Sequence, residues 1–503
     1  MELDLQRTML EGYQQVFNTV LTQEEVTESI VPDSYPDVSR IVCSVGEAYL
    51  TSKQIGSGNV KVIGTARVNV LYVPEGESSP RAITLSLPIQ CSGDYPQIKE
   101  SDMVHCSVLS SSVESRLVNP RKLFIKGEFK INLRIYSRSS AEVVCDLADE
   151  KNDTLQKLQM EYKHHTISAV LEKPFLFTDT LRQSASKPVM EELLYCQTYP
   201  GTVEGRYIGK KLVCKGEMNL CALYRSGKEI MKASFELPFS QVLELEGNFD
   251  EGEPDVAIML KNVECYLKDG ELEVAIEALI QATLWSHHNV VLLRDVYSTA
   301  VPMDVERNLN TLCSSADKNS RKEAVRKFCE SGIPAKQVLN STCYLSQLAV
   351  QARDGGAEYA TDASIDILYL SEDDAMCCVH YTIPVVCNIE FAQGWTCDCS
   401  CRPIGEVIAV PVTGGFEVRL EVDFIWQARK YEAVPSVSAV KESKSLAGNE
   451  PKPSLVIRRV MEGETLWDVA KSCGATIHDI CTANEMTAEV AVPGSMLLIP
   501  TKR

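Results

Sequence analysis

Met461-Glu-Gly-Glu-Thr-Leu-Trp-Asp-Val-Ala470 is the stretch whose reading decides the carboxy-terminal fold. Gly463 supplies a turn, and Thr465 is placed to cap a short helix, with Asp468 three residues on completing a capping-box pattern. Leu466, Val469, Ala470 and Cys473 recur at helical spacing, and Gly474 stops the run. The device repeats at once: Thr476 and Asp479 cap a second stripe of Ile477, Ile480, Cys481 and Asn484. Pro493-Gly494 turns the chain into Met496-Leu-Leu-Ile499, and Val456–Val460 is the matching opening strand. The expected order is strand, helix, helix, strand.

Val460, the turn Gly463-Glu464-Thr465-Leu466-Trp467, Ala470, Gly474, Ile480, Asn484, Pro493-Gly494 and Leu497–Pro500 together resemble a LysM domain over residues 455–503. The chain departs from that pattern at Glu464, where Asp is usual, at Arg458-Arg459, where an aromatic often stands, and at Cys473 and Cys481. The resemblance implies a partner- or ligand-binding groove between two loops, Gly463-Glu464-Thr465-Leu466 and Val492-Pro493-Gly494, with Trp467 and Asn484 counted among its residues and Trp467 also packing the small core. Sugar-binding members hold N-acetylglucosamine oligomers in that groove.

The 503 residues suffice for three or four domains. A net charge of −19 argues against nucleic acid and anionic membranes, which want clustered Lys and Arg. The amino terminus, Met1-Glu-Leu-Asp-Leu-Gln-Arg, lacks an apolar signal core, and no stretch approaches the ~20 apolar residues of a spanning helix. A protein that stays in the compartment that made it is the expectation. None of the nineteen cysteines forms a Cys-x-x-Cys pair, which points to reduced thiols used as small apolar residues.

Most of the chain repeats. Val60–Tyr72 and Leu212–Tyr224 alternate apolar and polar residues, and a shift of 152 maps Tyr72 onto Tyr224, Gly64 onto Gly216 and Pro36 onto Pro188. Ala363–Tyr369 is a third copy 145 further on. Leu123–Ile135, Leu272–Ala278 and Phe416–Phe424 alternate in the second half of each unit. The fold class expected is mainly β: three repeated antiparallel, sandwich-like units plus a small α+β module. The boundaries read as a helical or extended segment at 1–32, β units at 33–165 and 166–303, and a helical connector with a third unit at 304–430. A flexible linker at 431–454 would tether the terminal module. Asp146–His165 and Asp304–Glu330 have helical character, and the proline before each unit suggests one helical turn.

Three such units followed by one LysM resemble the SPOCS-domain sporulation proteins, in layout the SipL type. That resemblance implies a non-enzymatic morphogenesis protein of the mother-cell cytosol, recruited to the forespore surface. Its implied partner is a coat ATPase like SpoIVA, bound through the LysM while the spore-coat basal layer assembles. The alternative is a peptidoglycan-binding wall protein.

Other constellations carry less. Cys397-Asp-Cys-Ser-Cys401, with Cys377-Cys378, His380 and Cys387, could suggest a metal site, but a straight strand does not converge thiolates as a Cys-x-x-Cys turn does. An inward-facing thiol stripe is the plainer account, and no metal or cofactor is expected. His164-His165 and His287-His288 read as exposed polar pairs at element edges, and Trp285, Trp395 and Trp426 as packing near strand ends. With no Gly-x-Ser-x-Gly, phosphate loop or dinucleotide fingerprint, catalysis has no visible address.

Overall fold

The computed structural model describes residues 3–77, 79–148, 153–184, 186–246, 254–443 and 453–501. Up to Glu442 every regular element is a strand. The first unit runs β1 (Leu5–Ile30), β2 (Val38–Gly56), β3 (Asn59–Pro74), β4 (Arg81–Asp94), β5 (Met103–Asn119) and β6 (Lys122–Leu147). The second has β7 (Leu155–Leu181), β8 (Glu192–Ile208), β9 (Lys211–Ser226), β10 (Glu229–Glu244), β11 (Pro254–Lys268) and β12 (Glu271–Ser298). The third has β13 (Met303–Glu330), β14 (Ala335–Leu345), β15 (Ala349–Arg353), β16 (Gly356–Ser371), β17 (Met376–Glu390), β18 (Trp395–Val412) and β19 (Gly415–Glu442).

Each unit is a sandwich built one way. Strands two to four form one sheet (β2-β3-β4; β8-β9-β10; β14-β16-β17 with the short β15), and in the other the last strand lies between the first and the next-to-last (β1-β6-β5; β7-β12-β11; β13-β19-β18). Alternating side chains from both sheets fill one core per unit. Tyr72, Tyr224 and Tyr369, the landmarks of the repeat, are each fully buried. The mainly β class is as expected.

Among the described residues the connecting segments are not helical. Residues 5–30 form β1, Asp146–His165 runs through the end of β6 into β7, and Asp304–Glu330 lies within β13. These stretches are rich in Gln, Glu, Lys and Arg, good helix formers in isolation. Each nonetheless completes a long ladder with the last strand of its own unit, from Leu5↔Leu147 to Ile30↔Lys122 in the first. Backbone pairing along the whole ladder outweighs local propensity of a few tenths of a kcal/mol per residue. The prolines at 36, 188 and 334 precede strands, with turns and bends but no helical turn. The expected linker begins too early, because residues 431–442 are still β19 paired with β13, and residues 444–452 lie outside the described residues.

The three ladders carry matching β-bulges, between Gln6/Arg7, Leu293/Asp295 and Glu306/Arg307, and again between Gln15/Phe17, Leu284/Trp285 and Cys313/Ser315. Counting from the first set makes Val144, Leu293 and Val437 equivalent, and likewise Leu147, Val296 and Val440. All six meet in one apolar cluster. The small sheets also converge, with the equivalent Leu71, Leu223 and Leu368 in another cluster. The units are therefore arranged about a pseudo-threefold axis. Lys157 pairs with Asp146 at 2.7 Å and Arg307 with Asp295 at 2.5 Å, so each first strand reaches the last strand of the unit before it. Leu3 N–H closes the ring on the Val440 carbonyl at 2.9 Å.

Candidate functional site

The carboxy-terminal module is β20 (Leu455–Arg459), α1 (Leu466–Cys473), α2 (Ile477–Ala483) and β21 (Met496–Pro500), the expected βααβ order. Thr465 Oγ1 accepts from Asp468 N–H while the Asp468 carboxylate accepts from Thr465 N–H, completing the capping box. Thr476 accepts from Asp479 N–H at 3.0 Å to start α2. Val460, Leu466, Val469, Ala470, Ile480, Leu497 and Ile499 make the core.

The two loops expected to form the groove are anchored on one short stretch. Val460 N–H donates to Ser495 and its carbonyl accepts from Gly494, while Met461 carbonyl accepts from Glu464 N–H. Gly463 (φ +81°) and Gly494 (φ +86°) make the turns, conformations that a Cβ would strain. Thr465, Val492 and Pro493 are exposed, Glu464 is half-buried and Leu466 is buried. Glu464 accepts from Met461 N–H at 2.8 Å and pairs with Arg458, so it shapes the loop from within. Asn484 is wholly engaged: its amide donates to the Ile480 and Leu498 carbonyls at 2.8 and 2.7 Å, and its oxygen accepts from Leu498 N–H at 2.8 Å. It mimics a neighbouring strand, positioning β21 while presenting no free polar group.

Trp467 does pack the module's core, but it also faces the body, through partners 170–172 residues earlier in the chain. Its indole N–H donates to Asp295 at 2.9 Å, and its ring meets Tyr297 edge-on with centroids 4.8 Å apart. Lys471 holds both Asp295 oxygens at 2.6–2.7 Å, and Tyr297 hydroxyl donates to the Ala475 carbonyl at 2.8 Å. Leu158 adds apolar contact. Burial alone would raise the Asp295 carboxyl, but the bonds from Lys471 and Trp467 outweigh it and hold it below the usual carboxylate range. The module is berthed on the end of β7–β12, contrary to the expectation of a free tether. Equivalent positions are Gln6, Asp146 and Ala148 in the first unit and Glu306, Ala439 and Lys441 in the third. Only the second unit combines a leucine, an acid and a tyrosine there.

Berthing leaves the outer face of β20–β21 open. Leu455 (51% exposed), Ile457 (61%), Met496 (62%) and Leu498 (37%) lie on it, with Ile457 opposite Leu498 and Arg459 opposite Met496.

The remaining candidates fall elsewhere. Cys397, Cys399 and Cys401 pack against the third unit's core, and burial pushes Cys401 up to about 11, keeping it a thiol. All nineteen cysteines are free. Among the described residues no cluster of three or more His, Cys, Asp or Glu could hold a metal. The histidines are not at element edges: His165 lies opposite His287 and His164 opposite His288 within the β7–β12 ladder. Burial, then the neighbouring histidines, lowers His164 to about 4. Trp285 and Trp426 are likewise mid-strand, and Trp395 begins β18. Lys502 and Arg503 lie outside the described residues.

Comparison with known proteins agrees with this architecture. Residues 190–268, essentially β8–β11 of the second unit, match the family model "SipL, SPOCS domain", and residues 459–500 match the LysM domain. No curated protein and no solved structure matches. Both are non-catalytic binding domains. No helix of the described residues is long and apolar enough to cross a membrane. The chain thus carries a stretch that matches the SPOCS domain of the SipL family and a carboxy-terminal LysM domain, the arrangement that the sequence resemblance implied.

Proposed function

We propose that this protein is a non-enzymatic spore-coat morphogenesis factor whose LysM domain binds a SpoIVA-like coat ATPase and localises the coat basal layer around the forespore. The pseudo-threefold body acts as a rigid stand. The observation carrying the proposal is the open β20–β21 face, with four exposed apolar side chains in a module berthed by its opposite side. An apolar strand face with one arginine suits a protein partner. A saccharide is better served by an exposed aromatic ring, yet the module's sole aromatic among Phe, Tyr and Trp, Trp467, is 8% exposed and held by Asp295. Peptidoglycan binding is the second reading, favoured by the LysM match.

The test is co-purification of a SpoIVA homologue with the full chain, with Ile457→Asp, and with residues 455–503 deleted. Both changes should abolish recovery while the body stays folded; equal recovery from all three removes the recruiting role. Sedimentation of the intact protein with purified sacculi, unaffected by Ile457→Asp, would favour the wall reading.

A further inference from the structure

A cavity of about 320 Å³ lies where the second set of bulges spreads the three ladders, with walls from all three units. Its chemistry is unlike the acidic surface of a chain of net charge −19. Arg429 lies over the Trp285 ring, 4.5 Å from its centroid, which fixes the guanidinium plane. One terminal nitrogen donates to Gln427 at 2.8 Å; the structure gives the others no acceptor, and Nε is buried without one. Among the described residues no carboxylate pairs with Arg429.

The remaining polar groups point the same way. His164 Nδ1 accepts from Cys313 N–H at 3.3 Å, so the proton of the neutral ring resides on Nε2, a donor. Tyr13 and Tyr431 also line the cavity, Tyr431 at an exposed edge. The single carboxylate of the lining, Glu11, is turned toward Arg138 at 3.6 Å. The cavity thus holds a fixed guanidinium and an imidazole donor, while the one carboxylate of its lining is engaged by Arg138. A held guanidinium with unused N–H groups is a strong recognition element for an oxyanion.

We infer that this inter-unit cavity binds a small oxyanion, phosphate or a small carboxylate, held by Arg429 with His164 and the tyrosine hydroxyls. Such a ligand would join the three units at their common seam and stabilise the body only when bound.

The experiment titrates inorganic phosphate and, separately, citrate into the full chain at constant ionic strength set with sodium chloride, reading calorimetric heat and tryptophan fluorescence. Saturable binding of either anion, absent with chloride, is expected, and which one saturates identifies the chemistry. Arg429→Met keeps the stem over Trp285 and should weaken binding roughly tenfold or more. Tyr431→Phe, at an exposed position, guards against misfolding of the first variant and should weaken binding several-fold. No saturable binding of either anion, or saturation that Arg429→Met and Tyr431→Phe both leave unchanged, overturns the assignment.

Discussion

Replacing Asp295 by Ala should release the LysM domain from its berth without unfolding it. The carboxylate accepts from Lys471, Trp467 and Arg307 and its side chain is only 12% exposed. A hydrogen bond to a charged group contributes about 1.5–3 kcal/mol and a neutral one about 1 kcal/mol. Arg307 belongs to the body, so its pair with Asp295 does not count toward docking, and Lys471, 34% exposed, is partly screened, which puts its ion pair at the low end. The loss is therefore about 2–4 kcal/mol of docking free energy, a roughly 30- to 1,000-fold shift toward the undocked state. Asp295→Asn should fall between, since its amide oxygen can still accept from the indole while the charge is gone. Hydrogen exchange is the assay: amides of 466–475 and 292–298 should exchange faster in Asp295→Ala, with β20–β21 as internal control. Unchanged exchange in both segments would show that apolar contact with Tyr297 and Leu158 holds the domain and that Asp295 contributes little. The pH dependence has a definite sign. A carboxyl held below its unfolded value of about 3.9 stabilises docking above that pH and ceases to do so as pH falls through the folded value. Docking should be insensitive to pH near neutrality and loosen in strong acid.

Glu47, buried where the three small sheets meet, predicts the opposite trend. Its burial outweighs the bond from Thr198 N–H at 2.7 Å and raises its carboxyl to about 7. Against an unfolded value of about 4.3, stability from this group is fully present below that pH and lost as pH rises toward and through 7, about 3 kcal/mol in all. Glu47→Gln should flatten the pH profile of thermal unfolding between 5 and 8; a profile parallel to wild type would be the contrary result. Asn484→Ala removes the two hydrogen bonds that tie the end of α2 to β21 and a third back to Ile480 within α2. It should lower LysM stability by about 2–3 kcal/mol, read as faster exchange of β21 amides while the body is unaffected.

The LysM module was legible residue by residue because its signals are local. Thr465, Asp468, Gly474 and the stripe of Leu466, Val469 and Ala470 each act within one turn of helix, and the structure realises every one. The triple repeat was legible because a strand period of two survives in any sequence facing a core, and Tyr72, Tyr224 and Tyr369 occupy one buried position. By contrast β1 and β13 carry helix-favouring side chains, and only a partner strand 85–142 residues away makes them strands. Nothing adjacent in the chain marks Asp295, whose partners Trp467 and Lys471 lie 172 and 176 residues on.

The sequence by itself determined the period of each strand, the caps and turns of the terminal helices, and the number of units. Neighbours along the chain suffice for those. Only the tertiary structure decided that three units close about one axis, that Arg429 and His164 face a common cavity, and that Trp467 belongs half to the body. Those outcomes depend on ladder register and on bulges that re-aim side chains across long separations, and no local pattern encodes which distant residue stands opposite.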